Sequence, residues 1–433
     1  MARQGRAQDA KPQASDVQSL EIRFRSERST AESAGWLKKF SPELVEQADQ
    51  LAQKGQKALA GGRKIPARQL LAEARRKLPA PPANFPDHVA RVFGDPELRH
   101  GYWIHQLAYN HDGTMLAGAT QEDVDGSLGM VRIWDSGTGR ELIAYRGHSK
   151  SVLTVAFSHD GKLIVSAGSE PAVRIWDPAT GKDVRQIPIA HGHNEKDYIA
   201  QCAFGPDGKK LAVATGMIVE IFEVASGQHL RKLEGHTQTV HSIAFSPDGH
   251  YLASSSGDHT VRIWDLIGKE ETKVIPAHAG VVFQVAFSPD GKSAATCGAG
   301  TDKTAKIFLI AKEGQDPLVL QDKTPTIFNC LAFSKDGRTL ATGGADRLIR
   351  LWDVGTGQIV RTIHGHTNSV SSVVFSPDGT ELATAGADPR VRICPVDTVD
   401  QQREYLGHQG YVWSAAFNPD GSRIVSASAD KTV

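Results

Sequence analysis

The chain is poor in cysteine, lacks long apolar runs and carries no net charge. Its four cysteines, Cys202, Cys297, Cys330 and Cys394, lie far apart, none within four residues of another. That spacing offers neither a disulfide framework nor a zinc-type cluster. It fits buried thiols acting as small apolar side chains. No apolar run approaches the roughly 20 residues that a membrane helix needs, so no membrane span is expected. The segment from Met1 to Gln8 is charged but has no apolar stretch after it, and so does not read as a signal peptide. The expected location is cytoplasmic by default, or extracytoplasmic if an upstream signal sequence is missing. Lys plus Arg equals Asp plus Glu at 49 each, so no whole-chain field points to nucleic acid. There is no Gly-x-Ser-x-Gly elbow, P-loop or kinase signature. Gly291-Lys292-Ser293 lacks the upstream P-loop glycine. No cofactor and no enzymatic activity are expected.

What the chain does have is one phrase written eight times. In its clearest copy Gly235-His236 precedes an apolar run from Val240 to Phe245. Ser246-Pro247-Asp248-Gly249 turns the chain into a second run, Tyr251 to Ser256, and a third follows from Thr260 to Asp265. An outer strand is expected near residues 271–276. The Asp-Gly pairs begin at 112, 160, 207, 248, 290, 336, 378 and 420. A period of this size marks a repeat architecture. Sheets of four short strands cannot bury both faces alone, but stacked around an axis they cover one another.

The N-terminal part reads differently. Residues 1–86 hold 16 Lys or Arg against 9 Asp or Glu, a basic arm on a mildly acidic body. Residues 1–40 have little periodicity and are expected to be disordered or loosely ordered. Ser41-Pro42-Glu43 is a helix start. Two helices broken at Gly61-Gly62 would make a helical hairpin over residues 41–78. Residues 79–87 are a Pro-rich linker, and residues 88–433 hold the repeats.

These repeats closely resemble the WD40 family. The Gly-His pair stands at 147–148, 235–236, 365–366 and 407–408, and the Trp-Asp pair at 134–135, 176–177, 264–265 and 352–353. Phe222-Glu223, Phe308-Leu309 and Cys394-Pro395 fill the Trp-Asp place in altered form. The Ala-Phe-Ser-Pro-Asp-Gly wording also resembles the WD40 arrays common in bacteria. The resemblance implies an all-β propeller. Eight blades are expected, the last cut short after Asp430-Lys431-Thr432-Val433, where other copies continue with Arg-Ile-Trp-Asp. This ending points to a fragment. The strand from His88 to Phe93 would complete the last blade. The alternative is seven blades ending near Asp397 and the start of a second ring. The resemblance also implies a hydrogen-bonded set inside each blade, most complete as His236, Ser254, Asp258 and Trp264. Glu170 in place of Asp, the missing acid near Gly216-Met217 and the missing His before the sixth inner strand should each weaken a set.

Most of the 17 histidines are accounted for by the repeat, and His191 and His193, with Glu195 and Asp197 nearby, fall where the repeat already places His. No metal site is expected. One position has no such explanation. Aligned on the aromatic residue before each turn, the residue four places earlier is His105, Leu153, Ala200, His241, Phe283, Asn329, Ser371 or Trp413. The residue just before it is always Ile, Val or Phe. A slot that the fold does not make uniform, at the start of every inner strand, should ring the channel mouth. There His105, Tyr198, His241, Phe283, Asn329, Tyr411 and Trp413 are the candidate partner-binding residues. The expectation is a monomeric, non-catalytic scaffold holding a protein or peptide. The alternatives are a sensory or docking part of a larger protein and an enzyme with its site in the channel.

Overall fold

The computed structural model describes residues 42–61, 104–121, 129–136, 141–189, 198–268, 273–301, 303–310, 316–397, 402–406 and 408–430, with isolated positions between 21 and 32 and between 63 and 74. The chain forms two compact units, one N-terminal and helical, the other built of strands.

Helix α1, Pro42–Ala60, begins at its proline, whose missing N–H costs nothing there. It ends where the Gly61 amide bonds the Lys57 carbonyl at 3.1 Å. Ala48, Ala52 and Ala58 are buried against Ala67, Leu71 and Ala74, which are themselves helical. The approach is close: a Cβ on Gly55 would lie 2.9 Å from the Leu71 side chain. The segment expected to be loose is partly tied down. Glu21, Ile22, Phe24, Arg25, Arg28, Ser29 and Glu32 are helical, and Phe24 is buried in the same cluster. Arg28 reaches Asp49 of α1 at 2.7 Å. Among the described residues, buried Phe24, the Arg28–Asp49 ion pair and a hydrogen bond from Gln56 to Glu21 at 3.1 Å join this stretch to α1 and its cluster. The linker at 79–87 and the strand expected from His88 to Phe93 lie outside the described residues.

Among the described residues the strands form seven four-stranded antiparallel blades, over residues 104–145, 152–188, 199–233, 240–276, 282–320, 328–363 and 370–405. An eighth sheet, over residues 412–428, has two strands, Val412–Phe417 and Ile424–Ser428. The expected eighth blade is therefore not present as a four-stranded sheet among the described residues. In blade 4 the strands are Val240–Phe245, Tyr251–Ser256, Thr260–Asp265 and Lys273–Pro276, in sequential order. Leu252 pairs with Trp264 and Ser254 with Arg262. The core lies between blades. Ala212, Val219 and Ile221 of blade 3 are buried with Val240, Leu252 and Trp264 of blade 4, and the same join recurs between blades 4 and 5. Each Asp-Gly turn needs glycine, whose φ lies between 69° and 77° in all eight copies. In blade 6 the Ser334 hydroxyl donates to Asp336 at 2.7 Å, and the Arg338 amide donates to the same carboxylate at 3.0 Å.

Candidate functional site

Each inner strand runs away from one end of its blade, so its first residues share that end with the turn between the second and third strands. The loop entering the blade lies there too. We call this the mouth end.

The variable slot has a structural cause. In all eight inner strands the pairing register skips that one residue. Val240 pairs with Ser256 and Ser242 with Ser255, leaving His241 out. The same step omits His105, Leu153, Ala200, Phe283, Asn329, Ser371 and Trp413. A β-bulge leaves its extra residue unpaired and bends the strand, which re-aims the side chain. The residue before the bulge points inward: Val152, Ile199, Val240, Val282, Phe328, Val370 and Val412 are fully buried. Phe283 and Trp413, one place on, are 37% and 38% exposed.

The candidates are not equivalent. Tyr411 and Trp413 form an edge-to-face pair with centroids 6.2 Å apart, and Tyr411 is exposed. Tyr198, His241 and Phe283 come from the consecutive blades 3, 4 and 5. Tyr198 is exposed. His241 is half-buried, and burial lowers its pKa below the ordinary histidine value. Asn329 is already engaged: its amide donates to the Val370 carbonyl of blade 7 at 3.0 Å. Ser371 likewise donates to the Val412 carbonyl at 3.1 Å. The His105 side chain lies outside the described residues.

In five of the eight inner strands the residue after the bulge accepts a hydrogen bond from the next blade, a belt that the sequence reading missed. Gln106 accepts from the Val155 amide of the next blade at 3.1 Å, and Thr154 from Cys202 at 3.2 Å. Gln201 accepts from Ile243 at 2.8 Å and Gln284 from Leu331 at 3.0 Å. Ser372 accepts from Ala415 at 3.4 Å. An inner strand is a sheet edge with amides that no strand pairs. A side chain from the neighbouring blade takes them. The signal was a polar residue recurring one place after the variable slot.

Inside blade 4, Trp264 donates to the Ser254 hydroxyl at 2.8 Å. An indole can only donate, so the hydroxyl passes its proton to His236 Nε2, also 2.8 Å away. His236 Nδ1–H then donates to Asp258 at 2.8 Å. Burial lowers the pKa of His236 and keeps this neutral form. Burial opposes ionisation of Asp258, but donors from Thr260, the Thr237 amide and His236 outweigh it and hold the carboxyl at about 2.

Glu170 keeps its set together, although His148 Nδ1 meets it as a close contact and not as an aligned hydrogen bond. His148 Nε2 lies 2.7 Å from Ser166, Trp176 donates to that hydroxyl at 3.0 Å, and His148 Nδ1 is 2.9 Å from Glu170. The Ser149 amide and Arg174 also donate to Glu170, both at 2.8 Å. The longer side chain takes equivalent donors from a turn of the same length, three residues between the strands in both blades. Against the cost of burial, they hold its carboxyl well below the usual range. Blade 6 has no His, and buried Arg350 fills the gap, 2.6 Å from both Asp322 and Asp346. In blade 7, His366 pairs with Asp388 at 3.1 Å and Thr384 at 2.9 Å, but Cys394 provides no indole donor. The eighth sheet has His408, Ser426 and Asp430 at 2.8 and 3.0 Å.

Among the described residues no cluster of His, Cys, Asp or Glu could hold a metal ion. His191, His193, Glu195 and Asp197 lie outside them. Burial pushes the Cys330 thiol up to about 12 and Cys394 to about 11, unlike a poised nucleophile. No helix among the described residues is long and apolar enough to cross a membrane.

The family model described as WD domain, G-beta repeat matches residues 139–177, 227–265, 269–308, 319–353, 357–394 and 400–433. The nuclear distribution protein PAC1 of Arthroderma otae is 29% identical over 256 residues, 56% of this chain and 49% of that protein. Periodic tryptophan protein 2 of Arabidopsis thaliana is 26% identical over 294 residues, 64% of this chain and 32% of that protein. Protein tipD of Dictyostelium discoideum is 24% identical over 279 residues, 63% and 43% of the two chains. The chain thus spans less than half of each of these relatives. The repeat matches cover more than half of the sequence, and all but the last end at or beside the third strand of a blade, so the chain belongs to the WD40 repeat family.

Proposed function

We propose that the chain is a non-catalytic scaffold that holds a protein or peptide partner at the mouth end of its propeller. The observation that carries this reading is the ring of bulges. The fold spends one unpaired residue per inner strand at the same place, and the sequence fills that place with unlike side chains, two of them exposed aromatics. Exposed aromatics in such a setting combine large apolar area with little entropy to lose. The mouth residues Tyr198, His241, Phe283, Tyr411 and Trp413 are assigned to the partner, with Phe283 and Trp413 as its anchors. Asn329 and Ser371 serve the seam between blades.

The eighth sheet is the inner half of an eighth blade that closes the ring. It lies against the inner strands of both blade 7 and blade 1, and Arg423 donates to the Ser136 carbonyl of blade 1 at 2.7 Å.

The test of the scaffold reading is capture of a partner by the intact chain, its identification, and binding assays with Phe283→Ala and Trp413→Ala. Each is expected to cost about 2 kcal/mol of binding or more with little change in melting temperature. Lys273→Ala, on the outer strand of blade 4, is expected to leave binding unchanged. A partner that survives both aromatic deletions but is lost on removing residues 1–86 would place the binding function in the N-terminal arm.

A further inference from the structure

Several mouth-end turns read as neutral in the sequence, because an acid stands next to or near a base: Asp258-His259, Asp346-Arg347 and Asp388-Pro389-Arg390. The fold separates the two charges. The acids turn inward and are consumed. Asp258 is 5% exposed and holds His236 and the Thr237 amide. Asp346 holds Arg350 at 2.6 Å. Asp388 is 2% exposed and holds His366, with the Thr367 amide at 2.7 Å. Arg390 pairs with Glu404 at 3.1 Å, but other mouth-end bases face solvent. His259, Lys303 and Arg347 are exposed, at corresponding turns of blades 4, 5 and 6. All three have left-handed backbones, with φ of 72°, 48° and 75°. Glycine or asparagine would hold that conformation at lower cost, yet each turn carries a base. Lys323, on the loop entering blade 6, is exposed beside them. The exposed acid at this end of blade 3, Glu234, is spent on Lys232 at 2.5 Å.

At the other end exposed acids stand among the bases. The Asp-Gly turns leave Asp160 and Asp290 exposed, 3.4 Å from Lys162 and 3.8 Å from Lys292. So exposed bases gather at the mouth end of blades 4–6, the end that carries exposed Phe283. Complementary charge steers encounter and selects the partner.

We propose that the mouth of blades 4–6 takes an acidic peptide segment, its carboxylates against Lys303 and Arg347 and an apolar or aromatic side chain on Phe283. This rests on the reading that the partner engages the mouth end. The probe is a fluorescein-labelled random copolymer of glutamate and tyrosine, followed by anisotropy with the full chain. Binding is expected to weaken as salt rises. The double variant Lys303→Glu, Arg347→Glu is expected to lose tenfold or more in affinity. The double variant Lys292→Glu, Arg338→Glu, at the opposite end, is expected to stay within twofold. A lysine–tyrosine copolymer should not bind. All substitutions are at exposed positions, and unchanged melting temperatures confirm folding. No binding of the glutamate–tyrosine copolymer, or equal losses at the two ends, overturns the proposal, and so does tighter binding of polyuridylate. If Phe283→Ala abolishes binding while the mouth-end reversal does nothing, the mouth reading stands and the acidic class fails. If the reversal abolishes binding while Phe283→Ala and Trp413→Ala do nothing, the acidic class stands and the aromatic anchors fail.

Discussion

Asp258 and Glu170 do the same work with side chains of different length. Each sits in a mouth-end turn, accepts from a backbone amide and fixes a buried histidine. A length rule applied to the sequence would rank Glu170 as a broken set, because the motif shows residue identity and not reach. Removing either acid strands a buried imidazole and an amide. Asp258→Ala and Glu170→Ala are therefore both expected to cost roughly 1–3 kcal/mol, read as similar shifts in urea midpoint. A Glu170→Ala loss well below that of Asp258→Ala would restore the simpler motif rule. The pH dependence has a definite sign. The folded-state pKa of Asp258 is depressed from 3.8 to about 2. Its contribution is present above the unfolded value and is lost as pH falls from about 4 to 2. The stability gap between the wild type and Asp258→Asn should close over that window, and a gap that widens there would contradict the assignment.

At the level of the strand, the repeat was legible because apolar runs and Asp-Gly turns are local patterns. The strands and turns of blade 4 fall where the spacing places them. The bulges were not legible, since a bulge exists only in the register between two strands. Its trace in the sequence was indirect, a diverse residue following a uniform one. The helical residues near Phe24 were missed for a related reason: their order comes from packing against α1, not from their own periodicity. The belt of seam hydrogen bonds follows from the bulges and can be tested. Gln201→Ala and Gln284→Ala leave the Ile243 and Leu331 amides without their acceptors. Each is expected to cost about 1–3 kcal/mol and to speed exchange at that amide, measured by hydrogen exchange. Gln186→Ala, on an exposed outer strand, is expected to do neither. Unchanged protection at Ile243 and Leu331 would mean that water satisfies these edges equally well.

At the level of the whole ring, the question is whether the two-stranded sheet closes the circle or is an appendage of blade 7. Its residues Val412, Ala415 and Phe417 are buried with Ala383, Ala385, Val391 and Ile393 of blade 7, so one seam is a shared apolar core. The other seam rests on the approach of its strands to the inner strand of blade 1, Ile104–Tyr109, and on the Arg423 bond to Ser136. A ring carries strain and support in both directions, whereas an appendage carries them in one. Phe417→Ala removes the largest apolar side chain of this sheet from its shared core and is expected to cost about 3 kcal/mol. In a closed ring the loosened sheet ceases to cover both neighbours. Exchange should then rise together at Val373 in the inner strand of blade 7 and at Leu107 in that of blade 1, while Ile243, in blade 4, keeps its protection until global unfolding. A rise at Val373 with Leu107 unchanged would show that the sheet leans on blade 7 alone. The eightfold closure would then have to be given up, and with it the placement of Trp413 on the same mouth as Phe283.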